Sequence, residues 1–84
     1  MAYKLLIVED EKEKATGIAY LTGKYNPECR PVLLAHDGRE GYEKATAEQP
    51  DIIVTDIRMP EMDGLEMIRE LKKAGCSAEF IVLS

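Results

Sequence analysis

Acidic residues in this 84-residue chain follow short apolar runs, at positions where carboxylates could do chemistry. Glu9 and Asp10 come directly after the run 5–8, and Asp56 ends the run 51–56. If both runs are neighbouring strands, the carboxylates converge and repel one another unless a cation lies between them. A hard divalent ion would relieve that repulsion, since Mg²⁺ commonly binds carboxylates together with waters and phosphate oxygens. The alternative interpretation is a set of separate, solvated carboxylates at strand ends.

The elements that must position these residues are apolar runs that alternate with amphipathic segments. Continuous apolar runs predict buried strands, here at 5–8, 31–35 and 80–83, and a further buried strand is predicted at 51–56, where 52–54 are apolar. Helical spacing of apolar residues predicts helices, here from Glu11 to about Lys24, from about Arg39 to Glu48, and over Leu65, Ile68 and Leu71 up to Gly75. Asp37 is the predicted N-cap of the second helix, because its side chain can accept from a free backbone N–H.

The order β-α-β-α-β-α-β predicts an α/β fold with an open parallel sheet and right-handed crossover connections. Four strands are too few to close a barrel. Parallel sheets of this kind place their ligand sites at the carboxyl ends of the strands, near the point where the strand order reverses. The acidic residues therefore lie where a ligand site is expected.

Composition excludes several classes of function. The chain has 11 Lys and Arg against 16 Asp and Glu, a formal net charge of −5, which argues against a nucleic-acid surface on this segment. No apolar run approaches the roughly 18 residues of a membrane span, and the first run is too short for a signal peptide. Cys29 and Cys76 lack metal-ligand spacing, so reduced thiols are expected. We expect one cytoplasmic domain that binds neither nucleic acid nor membrane.

Three motifs carry a resemblance to a known family. They are V-E-D-E at 8–11, I-V-T-D-I-R-M-P-E-M-D-G at 53–64, and I-V-L-S at 81–84. Together they resemble the receiver domain of two-component response regulators, and the pattern D-x-x-M-P-x-M-D-G is the most specific part. The resemblance covers Tyr3 to Ser84, so residues 1–84 are interpreted as part of one receiver domain. It implies a flavodoxin-like sheet with the strand order 2-1-3-4.

The resemblance also implies a role for each matching position. Asp56 matches the phosphoacceptor, the carboxylate nucleophile that takes a phosphoryl group from a histidine kinase and also contacts Mg²⁺. Asp10 matches the direct Mg²⁺ ligand, Glu9 its partner acting through water, and Arg58 supplies a backbone carbonyl as a further ligand. Ser84 matches the hydroxyl that meets the phosphoryl group.

The chain departs from the family pattern in its length. A complete receiver has five strands and five helices, so the final α-β-α segment is expected to be missing. The lysine that lies near the end of the fifth strand in the family and pairs with the phosphoryl group would be missing with it, and a cation aimed at the transferred charge typically contributes a few kcal/mol. We therefore expect weak or absent self-phosphorylation. The fourth strand would also become an open edge, which predicts a homodimer, a swapped oligomer or a marginally folded monomer.

The predicted partner is a sensor histidine kinase. Lys12, Glu13 and Lys14 are interpreted as a solvated face of the first helix, although the resemblance implies that this helix contributes to kinase docking. The ending 78–84 resembles regulators that carry a helix-turn-helix output domain, which favours a role in transcription regulation.

Alternative functions belong to other classes. A haloacid-dehalogenase-type phosphotransferase also uses a strand-end aspartate with Mg²⁺, but it places a second acid two residues later. Position 58 is Arg, which argues against that enzyme class. A non-phosphorylated interaction module, or a truncated fragment of the kind used in folding studies, stays open. The leading prediction is a phosphoacceptor switch, whose only catalysis is its own phosphorylation and dephosphorylation.

Overall fold

The computed structural model describes residues 1–83, in which strands and helices alternate strictly. The elements are β1 (Tyr3–Val8), α1 (Lys12–Tyr25), β2 (Cys29–Ala35), α2 (Gly38–Glu48), β3 (Ile52–Asp56), α3 (Gly64–Lys73) and β4 (Glu79–Leu83). The predicted elements are thus confirmed, with β1 and β2 each beginning two residues earlier than the apolar run indicates. Ser84, the predicted phosphoryl-sensing residue, lies outside the described residues.

All strands of the described sheet are parallel and follow the order β2-β1-β3-β4. This confirms the predicted open α/β sheet and its strand order. The chain leaves β1 toward β2 on one side and later returns to β3 on the other side. The strand order therefore reverses at β1 and β3, and both strands end at the same edge of the sheet.

One face of the sheet carries the main hydrophobic core, under α2 and α3. Alternate strand residues point into it because successive side chains of a strand face opposite ways. Its fully buried members are Leu6, Val8, Ala35, Ala45, Ile53, Met67 and Leu71. Burial of these side chains anchors α2 and α3 against the strands that end in the acidic residues.

The opposite face is covered by α1, which packs beside β1 and β2 through the buried Ala15. Farther along the sheet, Val54 and Ile81 line an open apolar hollow together with Leu5. Ile81 is 49% exposed, and Val82 on the other face of β4 is 40% exposed. Within the described residues β4 is an edge strand, as expected, whereas association through it stays a prediction.

The longest described helix is α1, with 14 residues. None of the helices in residues 1–83 is both long and apolar enough to cross a membrane.

Candidate functional site

The ends of β1 and β3 bring three carboxylates together. Val8 is paired with Thr55, so Glu9 at the end of β1 lies level with Asp56 at the end of β3. Side-chain oxygens of Glu9, Asp10 and Asp56 lie within 4.8 Å of one another. The predicted convergence of these residues is therefore present in the fold, while their chemical roles stay predictions.

Glu9 is a buried acid, with only 1% of its surface exposed. Its Oε2 accepts a hydrogen bond of 3.0 Å from the backbone N–H of Glu11. Its Oε1 is buried and has no hydrogen-bond partner among the described residues. Burial raises the pKa of Glu9 above its ordinary value, the Glu11 N–H opposes that change, and nearby Asp10 and Asp56 add to it. A buried carboxylate in this state is stabilised by a positively charged partner.

The two carboxylate oxygens of Asp56 differ in their hydrogen bonding. Its Oδ1 accepts a hydrogen bond of 2.7 Å from the backbone N–H of Ile57. Its Oδ2 accepts no hydrogen bond from the described residues and lies 4.0 Å from the Nζ of Lys14. The side chain is 20% exposed, so the free oxygen can be reached from solvent.

Lys14 is a member of this site that the sequence pattern missed. The sequence predicts a solvated face for Lys14, and half of the side chain is indeed exposed. Its ammonium nevertheless lies 3.5 Å from Glu9 Oε1, the buried oxygen without a hydrogen bond. Its place in the chain could have indicated this role, because Lys14 lies in the first turn of the helix that begins just after Glu9 and Asp10.

The loop after Asp56 is held by two residues of the D-x-x-M-P-x-M-D-G motif. Asp63 caps α3, since its Oδ1 accepts from the backbone N–H of Glu66 at 2.8 Å. Gly64 donates from its backbone N–H to the carbonyl of Ile57 at 2.7 Å. A Cβ at position 64 would lie 2.0 Å from the carbonyl oxygen of Asp56, so only glycine allows α3 to approach this closely.

The corner between β2 and α2 lies beside the acidic residues. Asp37 is the N-cap of α2, as predicted, because its Oδ1 accepts from the backbone N–H of Glu40 at 2.7 Å. Glu40 Oε1 in turn accepts from the backbone N–H of His36 at 2.7 Å. That hydrogen bond, helped by Lys44, holds the pKa of Glu40 below its ordinary value. The His36 Nδ1 lies 3.4 Å from the Glu9 carbonyl oxygen, so this corner adjoins the acidic residues.

Close packing also ties the β3–α3 loop to α2. A Cβ at Gly38 would lie 1.8 Å from the carbonyl oxygen of Met62. The loop that follows Asp56 is therefore held between the first turns of α2 and α3. Arg58 is an exposed residue of this loop, and the metal-binding role of its backbone carbonyl stays a prediction.

The sheet order and the acidic edge place this chain among flavodoxin-like α/β domains. A family model described as the response regulator receiver domain matches residues 5–84. The chain therefore belongs to the receiver-domain family of two-component response regulators, which confirms the resemblance carried by its motifs.

Individual relatives agree with this assignment. The chain is 39% identical over 82 residues to an uncharacterized transcriptional regulatory protein, YesN, from Bacillus subtilis. That alignment covers 98% of this chain and 22% of YesN. The chain thus spans less than a quarter of that relative's length.

Solved structures share the fold. The N-terminal domain of an uncharacterized protein from Wolinella succinogenes superposes with a TM-score of 0.89 at 38% identity, covering 99% of this chain and 64% of that one. A Francisella response regulator receiver domain superposes with a TM-score of 0.88 at 28% identity, covering 98% of this chain and 65% of that one. The fold is therefore that of receiver domains, over about two thirds of the length of these two chains.

Proposed function

We propose that this chain is the phosphoacceptor domain of a two-component response regulator and that Asp56 takes the phosphoryl group from a sensor histidine kinase. The observation that carries the proposal is the convergence of Glu9, Asp10 and Asp56 within 4.8 Å at the strand ends of a receiver fold. Asp56 is the best nucleophile of the three. Its position is held through Oδ1, its Oδ2 is free of hydrogen bonds from the described residues, and its side chain is partly exposed.

The donor set fits Mg²⁺. Three carboxylates supply oxygen ligands, which hard divalent cations prefer. The buried Oε1 of Glu9 has no hydrogen bond, so a cation would supply the positive partner that its burial calls for. Under this proposal Asp10 would bind the ion directly, Glu9 would act through water, and Asp56 and the Arg58 carbonyl would complete the protein ligands.

Phosphoryl transfer depends mainly on positioning and on electrostatic stabilisation. The Oδ2 of Asp56 forms the new bond to phosphorus as the bond between phosphorus and the donor histidine breaks. The electron pair of the broken bond stays with the imidazole of the donor. The Ile57 N–H keeps the carboxylate of Asp56 oriented during this step, and Ser84 is proposed to donate to the transferred group. When bound, Mg²⁺ supplies charge that offsets the repulsion between Asp56 and the anionic donor.

The setting of the domain is part of the same proposal. A role in transcription regulation is supported by YesN, which is named as a transcriptional regulatory protein. We infer a cytoplasmic location and a kinase partner that docks near α1 because these are expected of a receiver domain. Self-phosphorylation is expected to be slow, because few protein cations are available to stabilise the transferred charge. Among residues 1–83, Lys14 is the one Lys or Arg whose side chain lies within 4.0 Å of Asp56.

Intact-mass analysis after incubation with acetyl phosphate and Mg²⁺ tests the proposal. We expect the mass of one phosphoryl group to be added to the wild-type chain and not to Asp56→Asn. The matched control is Asp51→Asn, which removes the same charge at the opposite end of β3. Its amide oxygen can still accept from the Lys4 N–H that Asp51 binds at 2.8 Å. A wild-type chain that gains no mass even after prolonged incubation would favour the interaction module over the phosphoacceptor role.

A non-phosphorylated interaction module is the second candidate function. The observation that favours it is the exposed edge strand β4, where Ile81 and Val82 are 49% and 40% exposed. A second copy of the chain is the partner expected at this edge, because unpaired backbone groups of an edge strand can pair with another strand.

A further inference from the structure

The acidic site contains a cation that the chain itself supplies. The ammonium of Lys14 lies 3.5 Å from Glu9 Oε1 and 4.0 Å from Asp56 Oδ2. Among the described residues, no other Lys or Arg side chain lies within 4.0 Å of an oxygen of Glu9 or Asp56. Lys14 therefore faces the same two carboxylates that the proposed function assigns to Mg²⁺.

We propose that Lys14 competes with the divalent cation for this site and thereby sets the Mg²⁺ affinity of the domain. The inference rests on the proposed function, because it assumes that Glu9 and Asp56 belong to a metal site. In the metal-free protein, the ammonium balances the charge of the two carboxylates. Binding of Mg²⁺ then requires Lys14 to withdraw from Glu9 and Asp56.

The geometry allows such a displacement. The Lys14 side chain is 48% exposed, whereas that of Glu9 is 2% exposed. The acid is therefore fixed in the protein, and the lysine reaches it from solvent on a flexible stem. A lysine ammonium has three donors and no acceptor, so it cannot become a metal ligand and can only compete for the same oxygens.

The sign of the Lys14 charge determines how its removal changes the affinity for Mg²⁺. A unit charge about 4 Å from carboxylates attracts them, and it repels a divalent cation held by the same carboxylates, directly or through water. Solvent exposure of Lys14 screens both effects, as in other exposed ion pairs. Removing the Lys14 charge should therefore tighten Mg²⁺ binding and destabilise the metal-free fold. A lysine with a merely structural role would change stability without tightening metal binding.

Calorimetric titration with MgCl₂ tests this inference. For Lys14→Met we expect the Kd for Mg²⁺ to fall roughly threefold to fivefold, the upper part of the range that screened pairs of this kind support. The matched control is Lys12→Met, which removes the same charge from the same turn of α1. Lys12 makes no ion pair within 4.0 Å among the described residues, so the Kd of Lys12→Met should differ from wild type by about twofold or less.

Thermal unfolding followed by circular dichroism supplies a second readout. Without metal, Lys14→Met should unfold at a lower temperature than Lys12→Met, and saturating Mg²⁺ should narrow the difference. Lys14→Arg, which keeps the charge, should retain the wild-type Kd. If Lys14→Met does not fold, Lys14→Gln takes its place, because its amide can still donate to Glu9.

The outcomes separate the inference from the proposed function. Suppose that the wild-type chain binds Mg²⁺ and that Lys14→Met and Lys12→Met bind it with the same Kd, or that Lys14→Met and Lys14→Gln bind it more weakly. Either result overturns competition by Lys14 and leaves the metal site standing. If no variant binds Mg²⁺, the metal site and the inference are both overturned. Tighter Mg²⁺ binding by Lys14→Met, with the Kd of Lys12→Met unchanged, supports the metal site and the competition by Lys14.

Discussion

Gly64 packs directly on the carbonyl group of Asp56, so that a Cβ at position 64 would lie 2.0 Å from that oxygen. The buried Thr55 also reaches this oxygen, with its hydroxyl donating at 2.8 Å. The start of α3 is thus built onto the backbone of the proposed phosphoacceptor. A change in the position of the Asp56 backbone would therefore displace the start of α3.

Gly64→Ala should destabilise the fold by about 1–3 kcal/mol, because the added methyl group cannot fit without moving α3 or β3. Urea unfolding measures the change. The matched control is Gly17→Ala in α1, where a Cβ would meet nothing within 4 Å. That control should be neutral or stabilising by up to about 1 kcal/mol, since alanine favours the helix interior. Equal effects of the two substitutions would contradict the close packing described for Gly64.

Glu9→Gln should stabilise the metal-free protein, by about 1 kcal/mol, and weaken its Mg²⁺ binding. The buried Oε1 of Glu9 has no hydrogen bond, and the carboxylate lies beside Asp10 and Asp56. The half-exposed Lys14 ammonium, 3.5 Å from Oε1, offsets only part of the cost of burying this charge in the absence of metal. Thermal unfolding with and without Mg²⁺ measures both effects. Glu11→Gln is the control, because Glu11 is exposed and contacts Glu9 through its backbone N–H. A Glu9→Gln protein less stable than wild type without metal would count against this account.

The contribution of Glu40 to stability should depend on pH. Its pKa is lowered in the folded state, chiefly by the backbone N–H of His36. A lowered pKa means that the stabilisation is present above the pKa of the unfolded chain and is lost as pH falls through the folded value. Glu40→Gln should therefore cost about 1 kcal/mol or less at pH 7, since Glu40 is partly exposed, and progressively less as the pH falls below the ordinary glutamate value of 4.5.

Urea midpoints of Glu40→Gln and wild type, compared at neutral and acidic pH, check this dependence. Glu43→Gln on the same helix is the control, because Glu43 is exposed. A constant difference between Glu40→Gln and wild type across the pH range would show that the charge of Glu40 is not the cause.

Self-association through β4 should be visible in sedimentation velocity. Val82 is 40% exposed on this edge strand, so Val82→Lys should shift the chain toward monomer. Leu65→Lys is the control, since Leu65 is 50% exposed on α3, away from the edge. A wild-type chain that sediments as a compact monomer at every concentration, and unfolds cooperatively, would rule out association.

Local sequence determined much of this protein. Apolar runs of three to five residues and helical spacing between them were enough to predict every described element, because strand and helix patterns depend on near neighbours. The position of Asp10 and Asp56 beyond apolar runs indicated a site at the strand ends. Asp37 as an N-cap could also be predicted, since a cap involves residues only three positions apart.

Strand order needed more than local pattern. The alternation of strands and helices leaves the position of β3 beside β1 open, and the family resemblance supplied it. That adjacency brings Glu9 to Asp56, residues 47 positions apart in the chain, as part of the carboxylate cluster.

Only the tertiary structure decided the remaining features of the site. Glu9 is buried while the next residue, Asp10, is exposed, and no local pattern separates two adjacent acids. Lys14 meets Glu9 and Asp56 because the start of α1 lies over the strand ends. Gly64 is required by the carbonyl of Asp56. Each of these depends on how separate elements pack against one another, which the spacing of residues along a chain does not specify.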